Sequence, residues 1–136
     1  MTMSQEDRDL TALFVSLHDG KIVKFDIDSL ARSVSLSCLT NEGLSVSIVL
    51  SEVIEAVANN VRPVNLITFV ELKDSIDKLS VSGVRALAQS SQPSHMELFR
   101  NRMRKLELIK SMNYCSIECH YGCDVVVCFT GSIVVS

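Results

Sequence analysis

The sequence predicts an α+β fold: an N-terminal β-hairpin packed on a helical cluster, followed by an extra C-terminal amphipathic helix and a short β tail. Three observations predict it. Asp19-Gly20 sits between the apolar runs Leu13–Leu17 and Ile22–Phe25, and such a dipeptide is a strong short-range hairpin signal because glycine supplies positive φ freely. Apolar residues at steps of three and four then recur through the middle of the chain, the pattern of a helix with one buried stripe. The end changes character again, with Asp124–Phe129 and Ser132–Val135 reading as two short strands around Thr130-Gly131.

The chain has 136 residues, about one domain, and is long enough to bury a core. Hydrophobic residues make up 47%, which excludes a disordered chain, while aromatics at 5% and the lack of tryptophan leave the core to Val, Leu and Ile. A net charge of −3 gives no electrostatic case for nucleic-acid binding. The polar start Met1–Asp9 lacks the pattern of a secretory signal. The longest apolar run, Val125–Phe129, is far below the ~20 residues that span a bilayer. Together these predict a soluble protein of the cytoplasm or nucleus, with no membrane partner and its five cysteines reduced.

Taken in order, residues 1–9 read as a flexible arm. In the second hairpin strand Val23, Phe25 and Ile27 form the expected core face, with Ile22, Lys24 and Asp26 opposite. Asp28 or Ser29 can cap a short helix to Leu39 carrying Leu30, Val34 and Cys38, and Asn41-Glu42-Gly43 is a loop. Ile48, Val49, Val53, Ile54 and Val57 predict a second helix ended by Asn59-Asn60, and Pro63 forces an extended connection. Thr68-Phe-Val-Glu71 has the form of a capping box opening a helix that buries Phe69, Leu72, Ile76 and Leu79. Ser80 can cap a short helix with Val84 and Leu87. Pro93 precedes a second capping box, Ser94–Glu97, and a helix whose seam is Met96, Phe99, Met103, Leu106 and Ile109.

Four sets of residues bear on function. For catalysis, His18, His95 and His120 lie in unrelated contexts, no nucleophile elbow, phosphate loop or zinc-protease motif occurs, and Asp26 with Asp28 fit a solvated strand edge, so no enzyme and no cofactor are predicted. For metal, Cys115, Cys119, His120, Cys123 and Cys128 are soft ligands within one short run, but they lack the two separated pairs of a zinc knuckle, so buried thiols are the expectation and a zinc-stabilised protein the alternative. Arg100, Arg102, Arg104, Lys105 and Lys110 crowd one helix without interleaved aromatics, the composition of a solvated face. Met96, Phe99 and Met103 make an adaptable apolar seam suited to a partner helix or to the domain's own core.

The order of segments resembles the Skp and elongin C adaptors of the BTB/POZ fold, shortened and divergent. Leu17–Leu39 is similar to that family's opening turn, strand and Ala-x-x-Ser helix. Val49-Leu-Ser-Glu-Val-Ile54 is similar to its Ile-Leu-x-x-Val-Ile helix, and Val70-Glu-Leu72 through Leu79-Ser-Val-Ser-Gly-Val84 to its Phe-Glu-Leu…Gly-Leu stretch. The cysteine-rich end after Met112 matches nothing in the family. The resemblance implies a BTB/POZ core over 10–92, an amphipathic helix over 93–112 and an apolar tail over 113–136. It implies a ubiquitin-ligase adaptor that bridges a cullin-like scaffold through Asp77, Lys78 and Leu79 and an F-box-like protein through Met96, Phe99 and Met103. A small regulatory protein, viral ones included, is the rival to that role, and the two apolar strands of the tail could pair with a second copy to give a homo-oligomer.

Overall fold

Strict alternation of apolar and small polar residues, not helical periodicity, organises most of this chain. In the computed structural model, which describes residues 5–59, 64–121 and 124–136, Val34, Leu36 and Cys38 are buried while Ser33, Ser35 and Ser37 between them are half-exposed. Val46, Ile48 and Leu50 repeat that beat. A period of two places one set of side chains on each face of a strand, and β-branched residues suit it.

The elements run α1 (Gln5–Ser16), β1 (Lys21–Asp28), β2 (Ser33–Leu39), β3 (Ser45–Leu50), β4 (Val53–Asn59), β5 (Asn65–Lys73), a 3-10 turn (Ile76–Lys78), α2 (Val81–Ala88), α3 (Pro93–Glu107), β6 (Asn113–Tyr121), β7 (Asp124–Phe129) and β8 (Ile133–Val135). All the strands join one antiparallel sheet in the order β4-β7-β6-β5-β1-β2-β3-β8. The two ends of that order belong together. β3 runs into β4 at Ser51-Glu52, β7 runs into β8 at Thr130–Ser132, and β3 pairs with β8 as β4 pairs with β7. The Thr130 amide donates to the Glu52 carbonyl at 3.0 Å and the Gly131 amide to that of Ser51 at 3.2 Å, so the pairing continues through the corner. The sheet therefore curls and closes on itself. A side chain at Gly131 would place its Cβ 2.6 Å from the Ser51 carbonyl oxygen, which is why the corner needs glycine.

Two cores result. The inner one fills the curl with Ile22, Val34, Leu36, Cys38, Val46, Ile48, Leu50, Ile67, Cys115, Ile117, Val125, Val127 and Phe129, and Phe14 of α1 with Leu17 just past its end closes one side. The outer one lies on the opposite face of β6 and β7, where Tyr114, Val126 and Cys128 meet Val84, Leu87, Met96, Phe99 and Met103 of α2 and α3.

This architecture corrects the predicted fold class. With 45% strand and 28% helix in a single eight-stranded sheet, it is not the helical cluster of a BTB/POZ core, and the resemblance fails at the level of fold. Leu13–Ser16, expected as a strand, and part of the expected N-terminal arm form α1. Asp19-Gly20 joins a helix to a strand rather than two strands. The helices expected over Asp28–Leu39 and Ile48–Val57 are the strands β2, β3 and β4, and the capping box at Thr68 lies inside β5. The core face of β1 is also different: Ile22 is buried and Val23 is exposed, because a bulge between Ile22 and Lys24 puts Ile22 on the same face as Phe25, and Ile27 shares that face but is 57% exposed near the far end of the strand. The stretch 113–136 is no appendage, since β6 and β7 sit inside the sheet. Asn60 and Pro63 lie outside the described residues.

The expected short helix behind Ser80 is α2, and the Ser80 hydroxyl accepts from the Gly83 amide at 3.2 Å. The expected final helix is α3, opened by Pro93 at its first turn with Gln92, not Ser94, as the N-cap. The two C-terminal strands stand as expected in β7 and β8. Among the described residues no helix is long and apolar enough to cross a membrane.

Candidate functional site

α1 is amphipathic. Leu10, Leu13, Phe14 and Leu17 fall at i, i+3, i+4 and i+7, and all four pack toward the inner core. The helix therefore lies against the sheet beside β5. Two main-chain bonds anchor its end: the Asp19 amide donates to the Ile67 carbonyl at 2.9 Å and the Ile67 amide to that of Gly20 at 2.8 Å. His18 adds a third tie, its Nδ1 lying 2.5 Å from the Thr68 carbonyl oxygen. A carbonyl only accepts, so Nδ1 carries the proton.

Past these anchors α1 and β5 diverge. β6 pairs with β5 as far as Lys73, but on the other side β1 reaches only Asn65 and Leu66. From Phe69 to Lys73 the outer edge of β5 meets a helix instead of a strand. The space between them is a groove of about 640 Å³ whose walls include Leu10, Phe14, Val15, Phe69, Val70 and Leu72. Two apolar side chains open onto it: Val15 is 69% exposed and Phe69 38%. His18 stands at one end, and Glu71 and Lys73 at the other, so the groove has an apolar middle and polar ends.

The residues singled out in the sequence fall elsewhere. Met96, Phe99 and Met103 are all buried in the outer core, so the seam serves the domain's own packing. Leu79 is buried with them, and Ile109 lies beyond the helix and is exposed. Asp77 and Lys78 are exposed but engaged. Arg104 Nη2 reaches Asp77 Oδ1 at 2.7 Å and Lys78 Nζ reaches Asp74 at 2.9 Å. The Arg104 guanidinium holds the Asp77 carboxyl below its ordinary range, and Lys78 does the same for Asp74. The helix of basic residues is likewise charge-paired: Arg100 and Arg104 both bind Glu97, and Arg102 reaches Glu55 while lying 5.9 Å over the Phe99 ring.

Among the described residues the soft ligands do not converge. Cys115 faces the inner core and Cys128 the outer core, on opposite faces of the sheet. Cys119 packs at the margin of the inner core and His120 is exposed. Cys123 lies outside the described residues. Burial pushes the Cys115 and Cys128 thiols from 9.0 up to about 12 and the Cys38 thiol to about 11, so these are protonated packing residues. Asp26 and Asp28 lie on an exposed strand, and Asp28 Oδ1 accepts from the Leu30 and Ala31 amides to shape the β1–β2 turn.

Sequence reasoning misses the groove because it reads Leu13–Ser16 at the end of α1 as a strand and β5 from Thr68 onward as a helix. The signal that could have found one wall is the spacing of Leu10, Leu13, Phe14 and Leu17. Compared with known proteins, the chain matches no family model, no curated protein and no solved structure.

Proposed function

We propose that this chain is a protein-binding module, not an enzyme, that takes an extended segment of a partner into the groove between α1 and β5. The observation that carries this is the edge of β5 from Phe69 to Lys73, which has β6 on one side and no strand on the other among the described residues. In an antiparallel ladder alternate residues direct their N–H and C=O groups outward, and such an edge pairs readily with an added strand. Main-chain bonds supply affinity in that mode, and pockets for alternate side chains supply selectivity. Val15, Phe69 and Leu72 offer the apolar contacts, and Glu71 and Lys73 fix the polar end. The groups whose proton affinity is displaced sit away from the groove. Asp74, Asp77 and Arg104 belong to exposed ion pairs, and Cys38, Cys115, Cys128 and Tyr114 to the two cores. The cullin-like and F-box-like partners lose the fold from which they were argued; binding to another protein is what remains of that reading.

Panning the full chain against a displayed library of linear peptides tests the proposal. Enriched peptides should carry alternating apolar residues, and Val15→Asp or Phe69→Ala should each weaken them about tenfold, roughly 1.4 kcal/mol. Leu30→Ser, at the far hairpin tip, should leave them unchanged. A library that yields no binder, or binders indifferent to both groove substitutions, overturns the proposal.

A further inference from the structure

A second edge of the same sheet has a different occupant. β1 pairs with β2 along its whole length, but β5 covers it only at Lys21 and Ile22. Among the described residues no strand pairs with the outer edge of β1 from Val23 to Asp28. This stretch stands clear of the barrel: Val23 is 53% and Ile27 57% exposed, Phe25 is half-buried, and Leu30 at the turn is fully exposed.

We propose that two copies of this chain associate through that edge, β1 against β1, in a register centred on Phe25. A two-fold axis perpendicular to a sheet keeps each face continuous, so residues opposite one another must come from the same face. Beyond the bulge at Val23, that restricts the pair to registers centred on a residue. Centring on Lys24 sets Lys24 against itself. Centring on Asp26 sets Asp26 against itself, and centring on Ile27 sets Asp26 against Asp28. Like charges directly opposite are destabilising. Only the Phe25 register avoids them. It places Lys24 opposite the second copy's Asp26, twice by symmetry, sets Phe25 on Phe25, and brings Val23 and Ile27 alongside on the flanks. Lys24 Nζ and Asp26 Oδ2 already lie 3.3 Å apart within the strand, with both side chains largely exposed and able to turn outward. The edge is self-complementary in charge and in apolar surface at one register alone.

The test is a charge exchange followed by sedimentation at increasing concentration. The natural chain should form a concentration-dependent dimer. Lys24→Asp sets acid against acid across the axis and Asp26→Lys sets base against base, so each variant alone should dimerise at least tenfold more weakly. Mixed in equal amounts the two should recover the dimer, because every Lys24→Asp chain then faces an Asp26→Lys chain with opposite charges in both pairs. That recovery also shows that neither substitution unfolds the protein. A natural chain that stays monomeric overturns the proposal, and so do single variants that dimerise normally or a mixture that fails to.

Discussion

The two cores solve the same problem by different means. The inner core is purely apolar. Its buried members come from six of the strands and from the α1 segment, and they meet because the sheet closes around them. The outer core is a helix-on-sheet contact with one polar node at its rim. There Tyr114, fully buried, donates from its hydroxyl to Glu107 Oε2 at 2.7 Å, and the same oxygen accepts from the Ile76 amide at 3.0 Å. The inner core thus depends on volume and closure. The outer core also depends on position, since Glu107 at the end of α3 ties the 3-10 turn to β6.

The largest contrast should come from deleting one ring on each side. Phe129 is 1% exposed inside the curl, whereas Phe99 is 7% exposed beside a shallow groove that Arg102 also lines. A closed site cannot collapse around a void, so Phe129→Ala should cost about 4 kcal/mol in urea unfolding and Phe99→Ala about half of that. Equal losses would mean that the curl is less closed than its hydrogen bonds imply.

The same contrast explains what the sequence disclosed. α2, α3, β7 and β8 were legible because their signals are local: the Ser80 cap, the proline at 93, and an unbroken Val-Val-Val run. The first half was not, because its strands imitate helices. Val34 and Cys38 are four apart, which fits a period of two as well as one of 3.6. At Ser51-Glu52 the chain turns a corner with Glu52 at φ 51°, so Val53 and Val57 fall into helical phase with Ile48 and Val49 although they belong to a different strand. Phe69 and Leu72 are three apart, which suits a helix, yet the pairing of β5 is regular from Phe69 to Lys73 and puts them on opposite faces, Leu72 packing toward the inner core and Phe69 38% exposed. Bulges and corners are invisible to a periodicity argument, and they are what a closed sheet requires. The groove rests on both kinds of element, an unrecognised helix and a shifted strand.

A smaller effect sharpens the comparison through pH. Burial raises the Cys115 thiol from 9.0 to about 12 by excluding water from the thiolate. The folded chain therefore holds this proton more tightly than the unfolded one. The stability this gives is complete below pH 9.0 and is lost as the pH rises from there toward 12. Each such group contributes about 1.4 kcal/mol per pH unit across that window. Cys115→Ala should reduce the alkaline slope of unfolding free energy by about that amount. Cys128→Ala should reduce it similarly from the outer side, since its thiol is raised to the same value. An unchanged slope in Cys115→Ala would place water beside that thiol, inside a core that the packing makes dry.

The smallest effect isolates the polar node. Tyr114→Phe keeps the ring in the outer core and removes only the hydroxyl, so no cavity of consequence opens. Glu107 retains the Ile76 amide and its partial exposure to water, and loses one charge-assisted bond. The expected cost is about 1–2 kcal/mol. The node has a directional consequence that simple burial lacks, because the hydroxyl and the Ile76 amide converge on a single carboxylate oxygen. Glu107→Gln keeps the shape and removes the charge that both donors share. If the node acts as a unit, Tyr114→Phe should cost less in the Glu107→Gln background than in the natural chain. Additive losses would reduce Tyr114 to an apolar side chain that happens to end in oxygen, and the outer core would then differ from the inner one in position only, not in kind.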